Sequence, residues 1–262
     1  MIENPPSFVA RTELHKAAFD NGFRIDLGMD SGWMHFRSTT AQGEIRMGAA
    51  GKDGPWFLSV SPLAIAAEMG LPPLEGAVAP GQATYAFPGI AELYEALDRT
   101  YRLGASLPDA PLRQFVARTA GVSRATEAER LVVQRVGQEI FREALLRYWN
   151  GCCPMTGIGE AALLRASHIV PWAECETDAL RLDVHNGLLL SALWDAAFDA
   201  GLVSFGDGGE VLRSARLGEE AARALGDGCG GLGRLTAGHR ANLSRHRAKF
   251  GFGGGYGGCI RP

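Results

Sequence analysis

Residues 165 to 201 read RASHIVPWAECETDALRLDVHNGLLLSALWDAAFDAG, and this stretch decides the fold of the C-terminal part of the chain. Ile169 and Val170 favour a strand that ends at Pro171, and a second apolar strand follows Asn186. The next segment, ALWDAAFDAGL, is predicted to begin a helix. The order of strand, loop, strand and helix can bring four polar side chains to one point: His168, Asn186, Asp195 and Asp199.

His168 and Asn186 are the first two candidates for chemistry. Histidine titrates near neutral pH, so His168 at the end of a strand can take a proton from water as the general base of phosphodiester hydrolysis. A hydrogen-bonded structural histidine is the alternative. Asn186 precedes Gly187, and this pair is typical of a turn. The amide of Asn186 can also tie the loop that carries His168 to the second strand.

Asp195 and Asp199 are the candidate metal ligands. Because they are four residues apart in a predicted helix, their carboxylates lie on one face. Two such charges repel each other unless a cation or the helix N-terminus compensates, and Mg²⁺ prefers oxygen ligands of this kind. The alternative assigns Asp195 to an ordinary first helical turn and Asp199 to a turn with Gly201.

Composition limits the class of protein. The chain has 262 residues, of which 46% are hydrophobic and 21% charged, as in soluble globular proteins with room for two domains. No apolar run approaches the roughly 20 residues of a membrane helix, and no secretion signal opens the sequence, so we expect a cytoplasmic protein without a membrane partner. Five irregularly spaced cysteines argue against a disulfide scaffold and against a structural zinc site.

Charge is divided unevenly between the two halves. Residues 1–110 hold 8 Lys and Arg against 13 Asp and Glu, a net charge of −5, whereas residues 111–262 hold 18 against 16, a net charge of +2. The second half is therefore the expected partner of a polyanion.

The pattern of apolar residues predicts an α+β fold in two domains. Residues 1–103 are expected to form a helix at 11–21, four short antiparallel strands and two covering helices. Residues 104–123 combine Gly, Ser, Pro and Asp, which is typical of a linker. Residues 124–250 are expected to embed the strand, strand and helix unit among further helices, and 251–262 to form a flexible glycine-rich tail.

The clearest predicted helix begins the second domain. Thr126 can cap it together with Glu129, and Leu131, Val132 and Ile140 are among its apolar positions. Arginines occupy much of its polar surface. Two interpretations are open: a face that is simply exposed to solvent, or a stripe that contacts DNA. They are Arg124, Arg130, Arg135, Arg142 and Arg147.

Together these segments resemble the HNH endonuclease family, and most closely the HNH domains of bacterial restriction-type nucleases. The shared segments are FR-x-x-L-L-x-Y at 141–148, Cys-x-x-Thr-Gly at 153–157, Ser-His-Ile-x-Pro-Trp at 167–172, Asn-Gly-Leu-x-Leu at 186–190 and Phe-Asp-x-Gly-Leu at 198–202. The resemblance covers about residues 138–206, with a further similarity at SRHRAKF near the C-terminus. It implies a ββα-metal finger, in which two antiparallel strands precede a helix.

The resemblance also implies a role for each residue of the finger. His168 falls on the general base and Asn186 on the asparagine that braces the loop. Asp195 occupies the third motif position, which is usually a metal-binding histidine, and Asp199 matches a further ligand. Ser167 stands where the family usually has a strong first ligand. Two carboxylates and a hydroxyl imply Mg²⁺ or Mn²⁺ rather than Zn²⁺.

The implied function is metal-dependent hydrolysis of double-stranded DNA by a restriction-type enzyme, with specificity from residues 1–103 and possible recognition of modified bases. One HNH site cuts one strand, so a double-strand break would require a homodimer. The alternative is a DNA-binding or regulatory protein whose HNH finger is inactive, because Ser167 is a weak ligand. In the N-terminal domain, arginines are interleaved with aromatic residues on the predicted strands, which could form a base-reading surface or core aromatics. These residues are Arg24, Arg37, Arg46, Trp33, His35 and Phe36.

Overall fold

A computed structural model describes residues 2–75, 83–123, 125–228, 231–233 and 235–252. The chain divides after Ala110 into two compact units. The architecture is α+β, as the sequence predicts. None of the helices in the described ranges is long and apolar enough to cross a membrane.

The N-terminal unit is built on a five-stranded antiparallel sheet. The strands follow each other in chain order: β1 Ile25–Asp30, β2 Trp33–Arg37, β3 Glu44–Ala49, β4 Trp56–Ser61 and β5 Ala83–Phe87. Residues of β3 and β4 that alternate along the strand form the core, for example Ile45 and Met47. The first four strands confirm the sequence prediction, whereas β5 was not predicted.

Three helices pack against this sheet and against each other: α1 Phe8–Asp20, α2 Leu63–Met69 and α3 Ile90–Ser106. Ser7 caps α1 by accepting a hydrogen bond from the Ala10 amide, and Leu14, Ala17 and Ala18 are buried. Trp33 and Phe36 are also buried, so their burial favours the core interpretation of these aromatics over a base-reading surface.

The predicted linker, residues 104–123, contains regular structure. It begins with the end of α3 and continues into α4, Asp109–Thr119, so its irregular composition is misleading. Pro111 lies in the first turn of α4, where a missing backbone N–H has no cost, and this is why the proline does not prevent the helix.

The C-terminal unit is organised around α5, Glu127–Tyr148. Thr126 and Glu129 form the predicted capping box. The buried stripe consists of Val133, Gly137, Ile140, Phe141, Ala144 and Leu145, in helical spacing. Leu131 and Val132 lie off this stripe and are 50% and 52% exposed, so the prediction that they supply the apolar face was wrong.

The remaining elements of this unit are β6 Leu164–His168, α6 Asp178–Leu182, β7 Gly187–Ser191, α7 Ala192–Asp199, β8 Val203–Phe205, β9 Val211–Arg213, α8 Glu219–Leu225 and α9 Ala237–Phe250. Cys152, Cys153 and Cys175 are free thiols, whereas Cys229 and Cys259 lie outside the described residues. Arg124 and all but the first two residues of the predicted 251–262 tail lie outside them as well.

Candidate active site

Two strands and a helix form the centre of the C-terminal unit. β6 and β7 pair in antiparallel register, which places His168 opposite Gly187 and Ser167 opposite Leu188. β7 is buried along its whole length and continues directly into α7. The order of strand, strand and helix that the sequence predicts is therefore present.

Helix α5 packs against the two strands, and its side chains approach Gly187 of β7 closely. A Cβ atom there would lie 2.5 Å from Phe141 Cζ and 2.8 Å from Leu145 Cδ1, so only glycine allows this packing. Phe141 in turn stacks on the imidazole of His168, with ring centroids 3.8 Å apart and planes inclined by 17°. A buried aromatic ring therefore fixes the plane of His168.

A hydrogen bond fixes the tautomer of His168. Its Nε2 atom lies 2.9 Å from the carbonyl oxygen of Arg181, which can only accept, so Nε2 carries the proton in the neutral ring. The Nδ1 atom has no hydrogen-bond partner among the described residues and keeps its lone pair. Burial lowers the pKa of His168 to about 4, and the bond to Arg181 only partly opposes this effect. The ring is therefore neutral at physiological pH and can accept a proton at Nδ1.

Asn186 holds together the loop between the two strands and is fully buried. Its Oδ1 atom accepts a hydrogen bond from the Val170 amide at 2.8 Å, and its Nδ2 atom donates to the carbonyls of Val170 at 3.1 Å and Leu180 at 3.2 Å. Asn186 therefore links the start of this loop to a later part of it. Gly187 has φ −149°, which is extended, so the alternative of an Asn-Gly turn with positive φ was wrong. The strands are joined by the longer segment 169–186 instead.

The two carboxylates lie one helical turn apart on the short helix α7. Asp195 is in its first turn, and Asp199 is its last residue rather than part of its start. Partial desolvation raises the pKa of both groups, and for Asp199 the charge of Asp195 adds to the effect. The Ser167 hydroxyl opposes the shift at both groups, and the Arg165 charge opposes it at Asp195. Neither carboxylate forms an ion pair within the described part of the chain.

A cavity of about 460 Å³ brings the predicted site residues together. Ser167, His168, Asp195 and Asp199 all line it. Ser167 is 3% exposed, and its Oγ atom has no hydrogen-bond partner of ordinary geometry in the described ranges. This hydroxyl lowers the pKa of both neighbouring carboxylates, so a ligand bound at this point would meet all three groups. Asn186 is not among the lining residues, which agrees with a bracing role rather than contact with a substrate.

These donors fit a hard divalent cation only in part. Across the residues that the structure describes, no group of three or more His, Cys, Asp or Glu side chains is arranged to hold a metal ion. Asp195 and Asp199 supply carboxylate oxygens and Ser167 a hydroxyl, which suits a cation that keeps several water or phosphate ligands. A closed zinc cage is not built here.

Four further residues line the cavity, and the sequence analysis did not place them there. His246 and Lys249 lie far along the chain, on α9, whereas Arg165 lies on β6 and Trp172 in the loop after it. Lys249 pairs with Glu174, which lies in the loop between the two strands. The similarity of SRHRAKF to the family was the available signal for α9, although it did not indicate which residues reach the site.

His185 and Arg142 of α5 have structural partners. His185 Nδ1 lies 2.9 Å from Asp183 Oδ1, and its ring packs edge-on against His239, away from the lining of the cavity. Arg142 donates to the carbonyls of Leu164 at 2.9 Å and Ala161 at 2.7 Å. Arg142 therefore clamps the start of β6, and these contacts do not favour a continuous DNA-contacting stripe on α5.

The comparison with known families agrees with this geometry. Residues 153–206 match the profile of the HNH endonuclease family. This segment contains β6, β7 and α7. The C-terminal unit therefore contains an HNH endonuclease domain, which indicates a nuclease of the HNH type. No curated protein matches the sequence significantly.

Proposed function

We propose that the protein is a metal-dependent DNA endonuclease that hydrolyses phosphodiester bonds. The observation that carries this proposal is the convergence of His168, Ser167, Asp195 and Asp199 on one cavity, with His168 held as a neutral base. A nuclease needs a proton acceptor beside a site that neutralises the negative charge of the phosphate. These residues offer the proton acceptor and the oxygen ligands of a neutralising cation.

His168 would activate the attacking water. Its Nδ1 atom takes a proton while the water oxygen forms a bond to phosphorus, and the bond from phosphorus to the 3′ oxygen breaks. The proton on Nε2 stays on the ring and donates its hydrogen bond to the Arg181 carbonyl throughout, and this carbonyl stabilises the charged ring that forms. Stacking on Phe141 keeps the ring from turning away.

The remaining residues would hold the cation and the phosphate. Asp195, Asp199 and Ser167 would bind a divalent ion, Mg²⁺ or Mn²⁺ in preference to Zn²⁺ because the donors are oxygen atoms. Such an ion would supply charge stabilisation at the phosphate and the leaving oxygen. Lys249 and Arg165 line the same cavity and offer positive charge to the DNA backbone.

The biological setting that we propose is restriction of double-stranded DNA in the cytoplasm. Residues 1–103 would supply the specificity for a sequence or a modified base. Two copies of the chain would be needed to cut both strands, so we propose a homodimer on DNA. Sequencing the ends of fragments from differently modified genomic DNAs tests this setting, because unselective ends would contradict it.

A second candidate is a DNA-binding protein with an inactive finger. The incomplete set of metal ligands favours it, since Ser167 provides only a weak donor and no third carboxylate or histidine joins Asp195 and Asp199 within the described residues. This protein would bind DNA without cutting it.

Nicking of supercoiled plasmid distinguishes the two candidates. We expect cleavage with Mg²⁺ or Mn²⁺, none with EDTA, and a loss of at least about 100-fold in His168→Ala, the usual contribution of a general base. Asp199→Asn should weaken activity in a way that more metal partly restores. Glu219→Gln, on α8 and away from the cavity lining, is the matched carboxylate control and should cut normally. Cleavage by His168→Ala at the normal rate would refute the assignment, and binding without cleavage under every condition would favour the inactive finger.

A further inference from the structure

A second cavity lies within the N-terminal unit, between α1 and the edge strand β1. Its volume is about 660 Å³, within the range of about 300–1,000 Å³ that is typical of sites for small molecules. Phe8, Arg11, His15 and Lys16 line it from the helix, and Asp26 and Met29 from the strand. It is formed within this unit and does not include residues of the nuclease cavity.

The apolar part of this cavity is exposed to an unusual degree. The Phe8 side chain is 74% exposed and the Met29 side chain 47%, whereas Met34 is buried at 5%. The side chains of Phe8 and Met29 give the cavity an apolar surface that a ligand could cover. A flat apolar group is the natural complement of these side chains.

The polar part of the cavity is positively charged inside an acidic unit. Residues 1–110 have a net charge of −5, yet Arg11 and Lys16 both line this cavity. Among the described residues, neither side chain forms a hydrogen bond or an ion pair. Asp26 is already engaged, because it accepts a hydrogen bond from the Gly28 amide at 2.7 Å and lies 3.6 Å from His15. The two free cations therefore suit a small anion.

We propose that this cavity binds a free nucleotide, with the base against Phe8 and Met29 and the phosphates on Arg11 and Lys16. A nucleotide combines a planar apolar surface with negative charge, which matches the apolar and the cationic side chains of this cavity. Two cations in an acidic unit are too few for a DNA backbone, whose binding depends on neutralising many phosphates. An alkyl anion such as a fatty acid would leave the polar groups of the cavity without partners.

Titration calorimetry of the full chain with ADP, GDP, CDP and UDP tests the proposal. We expect one saturable site for at least one of these nucleotides, and none for pyrophosphate, because pyrophosphate lacks the base. The Arg11→Glu, Lys16→Glu double variant should weaken binding more than about tenfold, because two phosphate contacts become repulsive. Phe8→Ala should weaken it about tenfold through the loss of stacking.

Lys52→Glu is the matched control, since Lys52 is an exposed lysine of the same unit that does not line the cavity. It should bind the nucleotide as the unchanged protein does. Because Phe8, Arg11 and Lys16 are exposed, these variants should keep the thermal stability of the parent. No saturable binding of any nucleotide, equal affinity in the double variant, or tighter binding of decanoate or a single-stranded oligonucleotide at this cavity would each overturn the proposal. The test does not depend on nuclease activity.

Discussion

Acid is expected to destabilise the C-terminal unit through His246, a buried residue of α9. This side chain is 4% exposed and stacks on Phe198 with ring centroids 3.9 Å apart. Its Nε2 atom lies 3.1 Å from the Phe198 carbonyl oxygen, and its Nδ1 atom lies 3.0 Å from Ser204 Oγ. Burial is the main reason why the pKa of His246 falls from 6.5 to about 4.

The sign and size of the effect follow from this pKa. Between about pH 6.5 and pH 4 the unfolded chain binds a proton at His246 that the folded protein does not, so stability falls as the pH is lowered. The stabilisation is complete above pH 6.5. A pKa lowered from 6.5 to about 4 corresponds to about 3 kcal/mol in all, of which about 2 kcal/mol is lost by pH 5.

Comparison of the parent with His246→Gln isolates this contribution, because glutamine keeps a donor and an acceptor but does not titrate. Urea unfolding with EDTA present, followed by hydrogen exchange of peptides from α7 and α9, reports on the C-terminal unit alone. From about pH 7.5 to pH 5 the parent should lose about 2 kcal/mol more than the variant. Parallel stability curves would show that His246 is not a buried neutral group. Since His246 also lines the cavity around His168, Asp195 and Asp199, plasmid nicking should decline over the same pH range.

Three further substitutions test the support of the site. Asn186→Ala should lower the free energy of unfolding by about 2–4 kcal/mol in urea, because the Val170 amide and two carbonyls lose a buried partner. Gly187→Ala should cost about 1–3 kcal/mol and reduce nicking, because its Cβ would displace Phe141 from His168, whereas Gly218→Ala, where a Cβ meets open space, should change neither the melting temperature nor activity. Thr126→Ala should cost about 1 kcal/mol in thermal unfolding through the loss of the capping box and should leave nicking unchanged; reduced nicking at full occupancy of the folded state would contradict a purely local role.

The sequence predicts the elements whose signal is local. The capping residues Thr126 and Glu129 mark the start of α5, and apolar runs separated by turn residues mark the first four strands of the N-terminal sheet. β5 is different, because its stability comes from pairing with β4, where Trp56 faces Phe87. Such a pairing between distant segments leaves little trace in the sequence of the strand itself.

The difference between local signals and contacts of distant segments also applies to the candidate site. His168, Asn186, Asp195 and Asp199 fall within one stretch of sequence, so their order alone suggested that they converge. His246 follows some fifty positions later, and its place depends on how α9 packs, which no local period shows. The tautomer of His168 was also beyond the sequence, since the carbonyl that fixes it belongs to Arg181, whose position depends on the loop that Asn186 braces.

The electrostatics of the cavity separate the two candidate functions further. Asp195 raises the pKa of Asp199, and both carboxylates are partly desolvated. Both features cost stability in the isolated protein, and a bound cation would offset them together. A protein that only binds DNA has no use for this arrangement, because paired negative charges oppose a nearby phosphate. A cation at the carboxylates would reverse the sign of the local charge, and the cavity would then attract a phosphate, as the proposed nuclease activity requires.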